Sequence, residues 1–159
     1  NSLNEIILYI NSTIQSVKKL ISQLRPQLID DLGLVAAIEW HTREFQKDAK
    51  IACNLSINPQ SIVIQPEKAI SIFRIFQETL TNIARHSEAT QVEISLCQKA
   101  EHIELVVIDN GKGILKEEID NSKSFGIIGM HERVNYWKGE LKIENNVDVG
   151  TKIFVKIPN

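Results

Sequence analysis

The sequence predicts an α+β domain, and three observations carry that reading. Five stretches have the length and alternation of strands: 51–57, 90–96, 103–108, 141–143 and 153–157. Three others, 34–47, 67–87 and 126–137, repeat apolar residues at helical spacing. The two kinds interleave along a chain of 159 residues with 43% apolar and 24% charged content, enough for one sizeable domain and an appendage and unlike a disordered chain.

The appendage comes first. Leu3, Ile7, Ile10, Ile14, Val17, Ile21 and Leu24 form a heptad seam widened by Ile6 and Leu20. That seam predicts a helix of about 22 residues, roughly 33 Å long, that belongs in a bundle with another chain or another segment, or else folds back on its own domain. Pro26 stops it. A connector, 28–34, follows, in which Asp30 or Asp31 can cap the next helix. That helix carries Leu34, Ile38, His41 and Phe45 on one face. With no metal-spaced or catalytic partner nearby, His41 is read as a packed or surface histidine. Ile51, Cys53, Leu55 and Ile57 then alternate as a strand, and Pro66 opens a new helix.

This helix, Glu67 to Ser87, is amphipathic. Ala69, Ile72, Phe73, Phe76, Leu80 and Ile83 make its apolar face, opposite Glu78, Asn82, Arg85 and His86. A polar outer face is ordinary, but its composition is not. Glu78 and Asn82 offer hard oxygens one turn apart, suited to one Mg²⁺ or its waters, and Arg85 and His86 can meet phosphate oxygens. The strands at 90–96 and 103–108 are joined by a short turn at Lys99–Glu101 and are expected to be antiparallel neighbours.

The second strand runs into Asp109-Asn110-Gly111-Lys112-Gly113. Asn-Gly between apolar stretches also signals a hairpin, but Ile114 to Asp120 does not alternate as a return strand. A carboxylate at a strand tip followed by two glycines suits a flat, amine-bearing ligand beside phosphates. Residues 115–125 are polar, with the composition of a mobile flap. Gly126-Ile127-Ile128-Gly129 opens a helix through Met130, Val134 and Trp137 that Gly139 ends, and its first turn can present N–H groups to an anion. A closing hairpin brackets Asp148-Val149-Gly150-Thr151.

Charge and cysteines exclude several classes. A net charge of −2 from 18 basic and 20 acidic residues leaves no electrostatic footprint for nucleic acid or an anionic membrane. Cys53 and Cys97 lack paired spacing, which argues for packing roles in a reducing compartment, expected to be the cytoplasm. No apolar run reaches membrane-spanning length, and Asn1-Ser2-Leu3 carries neither an initiator methionine nor a signal-peptide pattern, so an excised fragment is expected. The P-loop spacing is absent, and Lys116 stands where a dinucleotide fingerprint needs its third glycine. No H-R-D or D-F-G follows, as a protein kinase of the usual kind would require.

Four ordered motifs instead resemble the ATP-binding catalytic domain of two-component sensor histidine kinases. Phe76 to His86 is similar to the family's N box, Asp109 to Gly113 to its G1 box, Gly126 to Met130 to its G2 box, and Gly150-Thr151 to its final glycine-threonine element. Leu24-Arg25-Pro26 with Asp30 to Leu34, and Gly129 to Val134, resemble the nitrate-sensor and DesK-like class. The resemblance implies a two-layer α/β sandwich of the histidine-kinase/gyrase type, a mixed sheet of about five strands covered by about three helices. It also implies two parts: 1–27 as the remnant of a dimerisation helix and 28–159 as the catalytic domain.

At the matching positions, Asp109 would accept the adenine amino group. Gly111 and Gly113 would leave room beside the nucleotide, with Lys112 between them in the nucleotide-binding set, and Thr151, after Gly150, would assist at the base. Asn82 would hold Mg²⁺, and Glu78 would orient a metal-bound water or assist proton transfer. Arg85 and His86 would lie near the phosphates, and Gly126 and Gly129 would shape the lid end and helix start. Ser124 and Asp148 depart from positions where glycine is common, which bears on the lid. The phosphoacceptor histidine would sit on a helix preceding this chain, and His41 is not given that role. Implied partners are the protein's own dimerisation and phosphoacceptor domain in a homodimer and a response regulator, usually a DNA-binding one, with no direct nucleic-acid or membrane contact here. The alternatives are an ATPase or serine kinase of the same superfamily, or a degenerate module that signals through conformation alone.

Overall fold

The computed structural model describes residues 29, 32–114, 125–146 and 149–159. The heptad seam, the capping aspartates and the polar stretch 115–124 therefore lie outside the described residues, as does Asp148. Helix α1 is described over 32–49 and reaches two residues further at its C-terminal end than its periodicity indicates. Strand β1 (Ala52–Asn58) follows, then helix α2 (Pro66–Asn82), which continues into a π-helical turn at Ile83–Ser87. Strands β2 (Gln91–Gln98) and β3 (His102–Asp109) precede helix α3 (Phe125–Tyr136), and β4 (Glu140–Asn145) and β5 (Thr151–Pro158) close the fold.

The strands form one open mixed sheet in the order β1-β2-β3-β5-β4. Only β1 and β2 pair in parallel, because α2 carries the chain back across the sheet between them. The other pairings are antiparallel, including the expected β2–β3 pair and the closing β4–β5 hairpin. The predicted α+β class and mixed sheet with three helices are thus the observed ones.

Alternation decides which face of the sheet is covered. Val92, Ile94 and Leu96 of β2, Ile103, Leu105 and Val107 of β3, and Ile153, Val155 and Ile157 of β5 are buried. They meet Ile72, Phe73, Ile75, Phe76 and Leu80 of α2 in one core. Phe73 and Phe76 are fully buried, and truncating either to alanine removes about 3–5 kcal/mol. His41 packs edge-on against both rings, at centroid distances of 5.7 and 5.8 Å, in keeping with a packed histidine. Both cysteines are half-buried free thiols, and burial pushes the Cys53 thiol up.

One helix end departs from expectation. Lys138, at φ 53°, takes the left-handed position after α3, and Gly139 is needed because a Cβ there would collide with the Lys156 carbonyl. Lys68 ties the start of α2 to the last strand: its Nζ donates to the Pro158 carbonyl at 2.9 Å and lies 5.4 Å from the Trp137 ring centroid. No helix among the described residues is long and apolar enough to cross a membrane.

Candidate nucleotide-binding site

β3 places a carboxylate where core becomes cavity. Asp109 continues the buried face of the strand and is itself 3% exposed. Its Oδ1 accepts the Gly111 N–H at 2.8 Å, so the chain folds back over the carboxylate. The loop is then pinned from three sides. Asn110 Oδ1 accepts the N–H groups of Thr90 and Gln91 at 2.9 Å each, which binds the loop to the start of β2. The Lys112 N–H donates to the Ser87 carbonyl at 2.8 Å, which binds it to the end of the π-helical turn. On the far side, the Ile114 N–H donates to Asn145 Oδ1 at 2.8 Å.

Packing around this loop explains its glycines. A Cβ at Gly111 would collide with the Ser87 carbonyl, and one at Gly150 with the Asp109 carbonyl. Gly150, at φ +96°, also holds a backbone conformation that side-chain-bearing residues rarely adopt.

A cavity of about 410 Å³ opens between the end of α2, this loop, the start of α3 and the last hairpin. Ile83, Ile114, Ile127, Met130, Ile143 and Ile153 form its apolar walls. Asp109, Asn82, His86, Lys112, Thr79 and Thr151 supply its polar groups. A largely apolar pocket with a few convergent polar atoms is the usual form of a small-molecule site, and this volume falls in the usual range. A buried acceptor against apolar walls suits an aromatic base that carries an amine.

The π-helical turn decides what α2 delivers. Such a turn takes in more residues than an α-turn and is common at functional sites. Here Ser87 is locked at its end, its Oγ donating to the Ile83 carbonyl at 2.8 Å and accepting the Ala89 N–H at 3.0 Å. His86 lines the cavity, while Arg85 is exposed and lines neither the cavity nor the adjoining groove.

Glu78 lies apart from Asn82. It lines an adjoining groove of about 1010 Å³ with Gly126, Gly129, Arg74 and Arg133, whereas Asn82 faces the cavity. The Gly126 backbone rests against the Glu78 carboxylate, which a Cβ at this position would push aside. Burial and the nearby Arg133 charge hold the Arg74 guanidinium below its usual pKa. The structure therefore gathers Asp109, Gly113, Lys112, Asn82, His86 and Thr151 around one cavity. It sets Gly111 and Gly150 behind the wall, and Glu78, Gly126 and Gly129 next door.

Residues that sequence reasoning missed are Ser87, Asn145, Thr79 and Met130. Thr79 donates to the Ile75 carbonyl at 2.9 Å and sits 3.8 Å from the Met130 sulfur, closing the back of the cavity. Among the described residues no cluster of three or more His, Cys, Asp or Glu could hold a metal alone. Asn82, among the residues that line the cavity, carries one amide oxygen. That donor set fits Mg²⁺ arriving with phosphates and keeping several waters, and does not fit a protein-only metal cage.

The family model described as histidine kinase-, DNA gyrase B-, and HSP90-like ATPase matches residues 67–159. The kinase/phosphatase DegS of Brevibacillus brevis is 32% identical over 149 residues, covering 94% of this chain and 38% of the relative. DegS of Bacillus subtilis is also 32% identical, over 139 residues, covering 84% of this chain and 36% of that protein. The chain thus spans little more than a third of either relative. Among solved structures, a blue-light activated histidine kinase of Erythrobacter litoralis shares the fold at a TM-score of 0.73, with 22% identity over 94% of this chain and 56% of that one.

Proposed function

The chain belongs to the histidine kinase-, DNA gyrase B- and HSP90-like ATPase family as an ATP-binding domain of the sensor histidine kinase kind, and from that premise we propose how it works. Residues 28–159 form the catalytic unit and 1–27 derive from a dimerisation helix. The unit binds ATP with Mg²⁺ and passes the γ-phosphoryl to a histidine on a dimerisation hairpin of the same protein. In that step the bond from γ-phosphorus to the bridging oxygen breaks, a P–N bond forms to imidazole, the imidazole proton is lost, and ADP leaves. The phosphoryl group then goes to an aspartate of a response regulator. The protein acts as a homodimer in the cytoplasm.

One observation supports this reading most: the Asp109 carboxylate, 3% exposed, on the floor of an apolar cavity that also receives Asn82. Asp109 accepts the adenine amine, and Thr151, beside it in the cavity, assists. Asn82 presents its amide oxygen toward the metal, and bound Mg²⁺ supplies charge compensation at the phosphates. His86 and Lys112 add positive or donor groups at the cavity wall, with Arg85 nearby on the surface. Glu78, in the adjoining groove, orients a water or accepts a proton at the side where an acceptor would approach. Phosphoryl transfer needs chiefly positioning and charge compensation, and these residue types supply both.

Calorimetric titration with ATP and GTP in the presence of Mg²⁺ tests the first half. ATP binds and GTP binds more weakly; equal affinities, or no ATP binding, would refute it. Incubation with labelled ATP tests the second half. Label appears on a separately supplied histidine-bearing hairpin, at a low rate because tethering is lost, and none appears on the chain itself.

A further inference from the structure

We infer that Asn145, at the end of β4, is a positioning residue for the nucleotide site: its side-chain amide fixes the Gly113–Ile114 segment that walls the base pocket. This rests on the proposal that the cavity takes ATP. Asn145 lies outside the four motifs, and it does not line the cavity. Its Oδ1 nonetheless accepts the Ile114 N–H at 2.8 Å. The same oxygen sits only 2.7 Å from where a Cβ on Gly113 would be. Gly113 and Ile114 both line the cavity, so this oxygen fixes one wall residue directly, in an approach that the missing side chain of the other leaves open.

The anchor itself is stiff. Asn145 pairs with Thr151 in the β4–β5 ladder, and the Asn146 N–H donates to the Gly150 carbonyl at 2.9 Å. Gly150 in turn packs on the Asp109 backbone. The hairpin end therefore touches the loop twice, through Gly150 near Asp109 and through Asn145 near Ile114. Without the second contact the Ile114 N–H would have to find water, and among the described residues the loop would be held through Asn110, Gly111 and Lys112, all before Gly113. Binding would then have to order that segment before the ligand gained its apolar wall, and the cost would appear in affinity.

Two substitutions separate this from a packing role. Asn145→Leu keeps the branching at Cγ, in a bulkier side chain, but removes the acceptor; Asn145→Asp keeps an acceptor oxygen at the same reach. Amide hydrogen exchange at Ile114, measured without nucleotide, is faster in the leucine variant and close to the parent in the aspartate variant, while Gly111, held by Asp109, exchanges at the parent rate in both. ATP affinity falls roughly three- to tenfold in Asn145→Leu and is restored to within about threefold by Asn145→Asp. The inference is overturned if Asn145→Leu frees the Ile114 amide yet binds ATP like the parent, if its Ile114 amide stays protected, or if Asn145→Asp keeps the amide protected and binds as weakly as the leucine variant. Failure of the parent to bind ATP at all would instead overturn the functional proposal, and the exchange data, which involve no nucleotide, would still report whether Asn145 fixes the loop.

Discussion

The two ends of the cavity are built in opposite ways. At the end formed by β3 and the last hairpin, Asp109, Asn110, Gly111, Lys112 and Ile114 are all engaged in hydrogen bonds that hold the loop before any ligand arrives. At the end of α2 and in its π-helical turn, by contrast, Asn82 and His86, which line the cavity, make no side-chain hydrogen bond or ion pair among the described residues. The difference teaches which part of binding is prepared in advance. On the proposed function, a base pocket held in advance lowers the ordering cost of binding, whereas the groups proposed for phosphates and metal would take their final geometry from the ligand. The base end is thus expected to be sensitive to shape, and the α2 end to chemistry.

Breaking the shape should have the largest effect. Gly150→Val forces a β-branched side chain into a left-handed backbone and against the Asp109 carbonyl. The cost is about 3–5 kcal/mol of stability, with loss of ATP binding, to be read from thermal unfolding and calorimetric titration. Asp109→Ala leaves the loop glycines in place but removes the buried acceptor; it costs about 1.5–3 kcal/mol of ATP affinity, roughly ten- to a hundredfold.

Changes on α2 should leave stability alone and divide by ligand. Asn82→Ala weakens binding of Mg-ATP by roughly tenfold and hardly alters that of a metal-free adenine compound, measured by titration with and without Mg²⁺. Equal loss for both ligands would mean that Asn82 shapes the pocket as the loop does, and the contrast between the two ends would fail. Glu78→Gln keeps shape and an oxygen, so ATP affinity stays near the parent value while transfer to a supplied histidine-bearing hairpin slows. The smallest effect belongs to Lys112→Ala. Its Nζ pairs with Glu88 at 3.1 Å, but both side chains are largely exposed, so the change in melting temperature is within about one degree and ATP affinity falls about threefold or less.

How much of this was readable in advance follows the same division. An apolar strand ending in a carboxylate and two glycines marks Asp109 directly, because burial, alternation and backbone freedom each leave a trace in the sequence. Asn145 leaves none, since an asparagine near a hairpin tip reads as turn chemistry. Ile127 and Met130 fall in the stretch that resembles the second glycine box, but their helical spacing reads as core, although they also wall the cavity. The partition of Glu78 from Asn82 was hidden for another reason. Residues one turn apart share a helix face, but the Gly126 backbone of a distant segment settles against one of them, and nothing local announces it. The sequence likewise reads the end of α2 as plain α-helix, because the π-helical turn at Ile83–Ser87 is held in part by a bond from a distant segment, the Lys112 N–H on the Ser87 carbonyl.

The order of strands has a consequence for how the domain is made. Of the five described strands β5 is synthesised last, yet it lies between β3 and β4 and joins them. Until it inserts, β3 has a bare edge and β4 has no partner. Gly150 and Thr151, which stand at its threshold, are not yet beside Asp109. A nascent chain halted before residue 150 can form α2 and the β2–β3 pair, but it has an unfinished sheet and an open-sided pocket, and its exposed strand edge is a target for chaperones or misassembly. Completing the sheet with β5 therefore also brings Gly150 and Thr151 to Asp109.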